Sequence, residues 1–73
     1  MTTTERILEL ISKSGKSANY IMGKCNIRHN APTEWAKGKG SPSTEAVAKI
    51  ALYFNVSTDY LIGLTDNPKP HYE

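Results

Sequence analysis

The sequence predicts an all-α fold built from five short helices. Apolar residues recur three and four positions apart, as the buried face of a helix requires. Serine, threonine, asparagine or glycine residues stand where these segments begin and end, which are the preferred positions of helix caps. No segment shows the sustained apolar and polar alternation typical of a strand. A chain of 73 residues forms one small domain, in which a deep substrate cavity is not expected.

The first two helices are predicted from their caps. Thr2 and Glu5 have the spacing of a capping box, and Gly15 ends the first helix. Ser17 is a good N-cap for a second helix that runs to about Lys24. The expected inward positions are Ile7, Leu8, Leu10 and Ile11 in the first helix and Tyr20, Ile21 and Cys25 in the second. Asn26 follows, and it tolerates the left-handed backbone of a sharp turn.

The last two helices are bounded in the same way. Ser43 caps the clearest helix of the chain, which Asn55 ends, and its predicted buried face consists of Val47, Ile50, Ala51 and Phe54. Ser57 and Asp59 open a fifth helix that contains Leu61 and ends at Gly63. Residues 1–64 are therefore predicted to form the domain, and residues 65–73, with two prolines and few apolar groups, a flexible tail.

Charge is unevenly distributed along the chain, although the net charge is only +2. Between Lys13 and Lys39 there are six basic residues and one acidic residue, whereas the rest of the chain is net negative. Clustered positive charge is typical of a protein that binds a polyanion. A solvated basic surface without a partner is the alternative interpretation.

Composition excludes several other classes. The longest apolar run is far too short to cross a membrane, and the amino terminus lacks the pattern of a secretory signal. Cys25 is the only cysteine, so no internal disulfide can form, and a cytoplasmic location is expected. Cys25, His29 and His71 are too few for a structural zinc site, so no metal or cofactor is expected. Cys25 is interpreted as a small buried apolar group rather than a nucleophile, and no enzymatic activity is predicted.

Two stretches, "GKSANYIMGKCNIRHNAPTEWAKGKGSPS" and "AVAKIALYFNVSTDYLIG", contain a recognisable pattern. Its most specific parts are Ser17, Ile27, Trp35, Gly38 and Pro42, followed by "YFNVSTDYLIG". Over about residues 5 to 67 the chain resembles the lambda-repressor-like helix-turn-helix proteins, also called the xenobiotic response element or Cro/CI-type family. The resemblance implies a five-helix DNA-binding domain whose second and third helices read double-stranded DNA, in a phage or bacterial transcriptional regulator that is commonly a dimer.

The chain departs from the family pattern at four positions. Ala18 stands where glutamine is usual, Asn26 replaces the turn glycine, Pro32 replaces a β-branched residue, and Ala36 replaces a glutamate. In the family register Pro32 would be the fourth residue of the recognition helix, where its missing N–H is costly. The third helix is therefore expected to start near Ala31 or Pro32. Arg28, His29 and Asn30 are expected to approach it in an extended conformation.

The predicted contacts to DNA follow from the chemistry of these side chains. Asparagine pairs with adenine and arginine with guanine, and lysines bind phosphates. The candidate base readers are Arg28, His29, Asn30, Thr33 and Glu34, and the candidate phosphate contacts are Lys16, Ser17, Asn19, Lys37 and Lys39. Trp35 is expected to face the core, the alternative being a stacking platform for single strands.

The predicted function is that of a sequence-specific regulator, in the family's common mode a repressor that occupies an operator. As a homodimer with contacts through Tyr60, Leu64 or Tyr72, it would bind an inverted repeat. The alternative is a protein-interaction module on the same fold, of antitoxin or antirepressor type, with weak DNA binding. Ala18, Pro32 and Ala36 motivate that alternative.

Overall fold

The structure, a computed structural model, describes residues 2–69 as an all-α bundle. No strand occurs in this part of the chain. The five predicted helices are all present: α1 (Thr3–Ser14), α2 (Ala18–Cys25), α3 (Ala31–Ala36), α4 (Thr44–Phe54) and α5 (Thr58–Leu61). The all-α prediction is therefore confirmed.

Side-chain caps begin four of the five helices between residues 2 and 69. The side chains of Thr2, Ser17, Ser43 and Ser57 each accept a hydrogen bond from the backbone N–H three positions on. Thr2 and Glu5 form the complete capping box. The ends were also predicted: Gly15, Asn26 and Asn55 all have left-handed backbone, with φ of 77°, 58° and 55°.

The hydrophobic core lies where α1, α3, α4 and α5 meet and where α2 packs on α4. Its fully buried side chains are Ile7, Ile21, Met22, Ile50 and Leu61. Trp35 is buried as predicted and attaches α3 to this core. Phe54 is only partly buried and meets Tyr53 edge to face.

Tyr20 was predicted to face inward, and this is wrong. Its side chain is 47% exposed, whereas Met22 has no exposed surface. Ile21, Met22 and Cys25 together fill the inner face of α2. Tyr20 consequently lies on the outer face of the helix.

The start of α3 agrees with the prediction, but the approach to it does not. The helix begins at Ala31 with Pro32 in its first turn, where the missing N–H has no helical partner to lose. Arg28, His29 and Asn30 were expected to be extended, whereas they form a turn. The Ala31 N–H donates to the Arg28 carbonyl over 3.1 Å, and Asn30 has φ −90° and ψ 0°. This geometry is that of the third residue of a type I turn.

Arg6 forms a buried contact that was not predicted. Its Nη1 donates to the carbonyls of Tyr60 and Thr65, each over 2.9 Å, and its Nη2 lies 2.8 Å from the Asp66 carboxylate. The guanidinium also stacks on the Tyr60 ring, 4.4 Å from its centroid. We refer to Arg6, Tyr60, Thr65 and Asp66 as the Arg6 clamp, because it fastens α1 to α5 and to the segment beyond it.

The Arg6 clamp bears on the tail predicted over residues 65–73. Besides the contacts of Thr65 and Asp66, the Pro68 carbonyl accepts a hydrogen bond from the Ser57 N–H over 2.8 Å. The chain therefore makes hydrogen bonds to the bundle up to Pro68, and the flexible tail over residues 65–73 stays a prediction. Residues 70–73 lie outside the described residues, and the domain boundary at residue 64 stays a prediction. None of the described helices is both long and apolar enough to span a membrane.

Candidate nucleic-acid interface

The candidate interface is built on α2, the turn over residues 26–30, and α3. Asn26 reverses the chain in left-handed conformation, and the Ile27 N–H then donates to the Met22 carbonyl over 2.9 Å. Partly buried Ile27 packs on the core, and so do Ala31 and Trp35. One side of the turn and of α3 is thereby fixed to the bundle. The opposite side carries exposed polar residues. We refer to α2, the turn and α3 together, residues 18–36, as the reading segment.

The candidate base readers lie together on this exposed side. Arg28, His29, Asn30 and Thr33 are exposed, and the Glu34 side chain retains 33% exposure. The Arg28 Nη2 lies 3.3 Å from Glu34 Oε1, and the Asn30 Nδ2 donates to Glu34 Oε2, also over 3.3 Å. One carboxylate thus contacts two of the side chains that were predicted to read bases.

The His29 ring lies beside α2. A methyl group at Gly23 would lie 3.8 Å from the His29 Nε2, so the ring is close to the C-terminal part of that helix. No hydrogen bond fixes the imidazole to residues 2–69. Its two ring nitrogens therefore face no competing partner within that range.

The candidate phosphate contacts form two groups in the chain, one before and one after these base readers. Lys16, Ser17 and Asn19 are exposed at the start of α2, although the Ser17 Oγ already accepts the Tyr20 N–H over 3.1 Å. Ser17 is therefore primarily a helix cap. Lys37 and Lys39 are exposed in the loop after α3. The Lys39 N–H donates to the Glu34 carbonyl over 2.9 Å, which holds this loop against α3.

Two further residues of the candidate interface were missed. These are Tyr20 and Lys24. The Nζ atoms of Lys16, just before α2, and of Lys24, within α2, lie 5.3 Å and 5.5 Å from the centroid of the Tyr20 ring. These distances are within the range of cation–π attraction. The four-residue spacing of Lys16, Tyr20 and Lys24 could have identified this exposed row, had Tyr20 not been assigned to the core.

Cys25 is the last residue of α2 and is buried, as predicted. Burial raises the pKa of its thiol, while the nearby Lys49 ammonium acts in the opposite direction. The Sγ lies 3.9 Å from the Lys49 carbonyl oxygen. Between residues 2 and 69 no three histidine, cysteine or acidic side chains are grouped closely enough to hold a metal ion. His71 is outside the described residues.

Two short helices joined by a tight turn, within a bundle of five, have the architecture of a helix-turn-helix domain. The chain is similar to the HTH-type transcriptional regulator ImmR of Bacillus subtilis (strain 168), with 32% identity over 63 residues. The match covers 86% of this chain and 50% of ImmR, so the chain spans about half the length of that relative. No family model matches the chain, and no solved structure matches it with significance. The chain belongs to the Cro/CI-type helix-turn-helix family, as its sequence pattern predicted.

Proposed function

We propose that this protein is a sequence-specific transcriptional regulator that binds double-stranded DNA through the reading segment. The observation that supports this most is the composition of the exposed side of the reading segment. It carries exposed arginine, asparagine, histidine and threonine side chains, and exposed lysines precede and follow these in the chain, on a helix-turn-helix domain. A relative named as a transcriptional regulator supports the same function.

In the proposed complex α3 enters the major groove with its first residues closest to the bases. Asn30 is suited to pair with adenine and Arg28 with guanine, because each presents two polar atoms to one base edge. Thr33 offers both a hydroxyl and a methyl group, and the latter suits the methyl of thymine. His29 adds a donor and an acceptor beside α2. These four side chains would determine which sequence is bound.

The lysines would hold the duplex without choosing its sequence. Lys16 lies just before α2 and Lys24 lies within it, both near the Tyr20 ring, and Lys37 and Lys39 follow α3. The two groups lie before and after the base readers in the chain, which suits contacts to phosphates on both borders of a groove. Asn19 supplies a neutral amide that would also bind phosphate. The cap residue Ser17 would fix the start of α2, through the hydrogen bond that its Oγ accepts from the Tyr20 N–H.

Occupation of an operator would make the protein a repressor, and an inverted repeat would require a dimer. Ile62 and Leu64, just after α5, are 49% and 75% exposed, so they are candidates for dimer contacts together with Tyr60. Half-sites would then lie about 34 Å, or one helical turn, apart. A phage or bacterial regulator of this kind would work in the cytoplasm.

Selection of bound sequences from a random pool of duplexes tests the proposal. The selected duplex should bind about 10³-fold or more tightly than a scrambled one at physiological salt. Its affinity should also fall steeply with salt, because several lysines displace counterions from phosphates. If no sequence is enriched and the affinity for duplex DNA does not change with salt concentration, the proposed function is rejected.

A protein-interaction module is the second candidate. It is favoured by exposed Leu52, Ile62 and Leu64, and by an apolar groove of about 530 Å³ in whose lining Val47 and Ile62 take part. Such a module should bind its partner with little dependence on salt and should show no base preference. The duplex measurements above therefore separate the two candidates.

A further inference from the structure

The contacts of Glu34 differ from those of Glu9 and Glu45. The carboxylates of Glu9 and Glu45 each face a single lysine four residues on, at 3.8 Å and 3.7 Å. Glu34 instead contacts two side chains of different kinds, the guanidinium of Arg28 and the amide of Asn30, each at 3.3 Å. Both contacts cross from α3 to the turn before it. Glu34 therefore links the helix to the two strongest candidates for base recognition.

Asn30 is available for this contact because it does not cap α3. It occupies the N-cap position, yet its side chain makes no capping hydrogen bond. Asparagine is among the best N-cap residues. Here the amide points toward Glu34 instead.

The direction of the amide decides what Asn30 can recognise. A carboxylate is only an acceptor, so it must face the NH₂ end of the amide and would repel the carbonyl end. One N–H of Asn30 is then bound to Glu34, while the second N–H and the carbonyl oxygen remain free. Those two groups match N7 and the N6 amino group of adenine. An amide in the opposite orientation would not present this pattern in the same place.

We infer that Glu34 is a positioning residue that fixes the base preference of the reading segment, by orienting the Asn30 amide for adenine and restraining the Arg28 guanidinium beside it. The inference rests on the proposed function. Glu34 has a second effect on Arg28, because the ion pair lowers the attraction of this arginine for phosphates of any sequence. Specific binding is thereby favoured over binding to arbitrary DNA.

Glu34→Gln tests the inference, with Glu9→Gln as the matched control. Both changes remove one negative charge from a paired side chain of similar exposure, 33% for Glu34 and 38% for Glu9. Glutamine can donate as well as accept, so the Asn30 amide is free to turn over in the first variant. Helix propensity is almost the same for both residues, so each variant should fold.

The first measurement is base preference at each position of the selected duplex. Asn30→Ala identifies the base pair that Asn30 reads. At that base pair Glu34→Gln should lower the preference about tenfold, within the range that one bidentate contact provides. Glu9→Gln should change the affinity for all duplexes alike and leave the preference at that base pair within about twofold of the wild type. A Glu34→Gln variant that retains the preference at that base pair overturns the inference.

The second measurement needs no DNA and separates the inference from the proposed function. In the free protein Glu34→Gln should shift the NMR signals of the Asn30 side-chain amide, because the carboxylate that this amide contacts over 3.3 Å is replaced, whereas Glu9→Gln should leave them unchanged. Amide signals that are the same in wild type and Glu34→Gln overturn the positioning role, whatever the protein binds. If the signals shift but the wild-type protein prefers no duplex sequence, the proposed function fails and the assigned base preference fails with it.

Discussion

Two regions of the molecule use arginine in opposite ways. Arg6 is 7% exposed, with its guanidinium bonded to two backbone carbonyls and stacked on Tyr60. The Arg28 side chain is 72% exposed, and its one partner among residues 2–69 is the partly exposed Glu34. Both arginines form an ion pair, at 2.8 Å for Arg6 and 3.3 Å for Arg28. Burial, rather than pairing, therefore distinguishes an arginine that holds the fold from one that is available to a partner.

The two arginines therefore differ in what the fold loses when each side chain is removed. Removing Arg6 leaves the Thr65 carbonyl without this donor and detaches the segment after α5 from α1. An exposed pair such as Arg28 and Glu34 contributes little to stability, because water solvates both groups when they separate. The Arg6 clamp should therefore tolerate substitution poorly, and the reading segment should tolerate it well. The predictions below test this contrast.

Arg6→Ala should have the largest effect. Loss of the charge-assisted hydrogen bonds and of the buried stem should lower the free energy of unfolding by about 3 kcal/mol, which is more than about 10 °C in Tm for a domain of this size. Thermal unfolding followed by circular dichroism measures the change. Asp66→Asn is the matched control, and it should cost much less because the Asp66 side chain is 97% exposed. Equal losses in the two variants would mean that the exposed carboxylate, not the buried guanidinium, holds the clamp.

Asn30→Ala should change recognition and leave stability intact. Because the Asn30 side chain caps no helix, Tm should stay within about 2 °C of the wild type. The preference at one base pair should fall about 5- to 150-fold, as expected for a single bidentate contact. Competition between duplexes that differ at that base pair measures this loss. A uniform loss over all duplexes would instead assign Asn30 to phosphate binding.

Lys37→Ala should weaken binding to every duplex to the same extent. Lys37 is exposed after α3 and forms no ion pair with any residue between 2 and 69. One phosphate contact fewer should reduce the slope of log affinity against log salt by about 1. Binding at several salt concentrations tests this, with Lys13→Ala as a control on α1, where the lysine pairs with Glu9. A selective loss for one sequence would show that Lys37 contacts a base.

The smallest predicted effect concerns acid. Hydrogen bonding from the Thr2 backbone N–H, over 2.7 Å, and then from the Thr2 side chain lowers the pKa of Glu5 below its usual 4.5. A carboxyl whose pKa is lower in the folded state adds stability above its unfolded pKa and loses that contribution as the pH falls through the folded value. The stability advantage of the wild type over Glu5→Gln should therefore shrink below about pH 4.5. A difference that does not vary with pH would contradict this role for the capping box.

Local features of the chain could be predicted, because they depend on neighbouring residues alone. The caps at Thr2, Ser17, Ser43 and Ser57 and the left-handed turn at Asn26 are of this kind. So is the start of α3, which the proline determines. Each involves residues within about one helical turn of one another, where backbone sterics leave few alternatives.

Features that join distant parts of the chain could not be predicted in the same way. Arg6 meets Thr65 and Asp66 across about sixty positions, and nothing in the local pattern of α1 marks this arginine as buried. Tyr20 was misassigned because an aromatic residue is usually buried, whereas its face of α2 carries two lysines. The link from Glu34 to Arg28 and Asn30 depends on the turn, which was expected to be extended.

The most direct test is to add the selected duplex to ¹⁵N-labelled protein and to record which backbone amides shift. If DNA binds to the reading segment, we expect the largest shifts between Arg28 and Lys39 and along α2, with the amides of Arg6, Tyr60 and Asp66 almost unchanged. Shifts concentrated at the Arg6 clamp, with the reading segment unaffected, would contradict this binding mode.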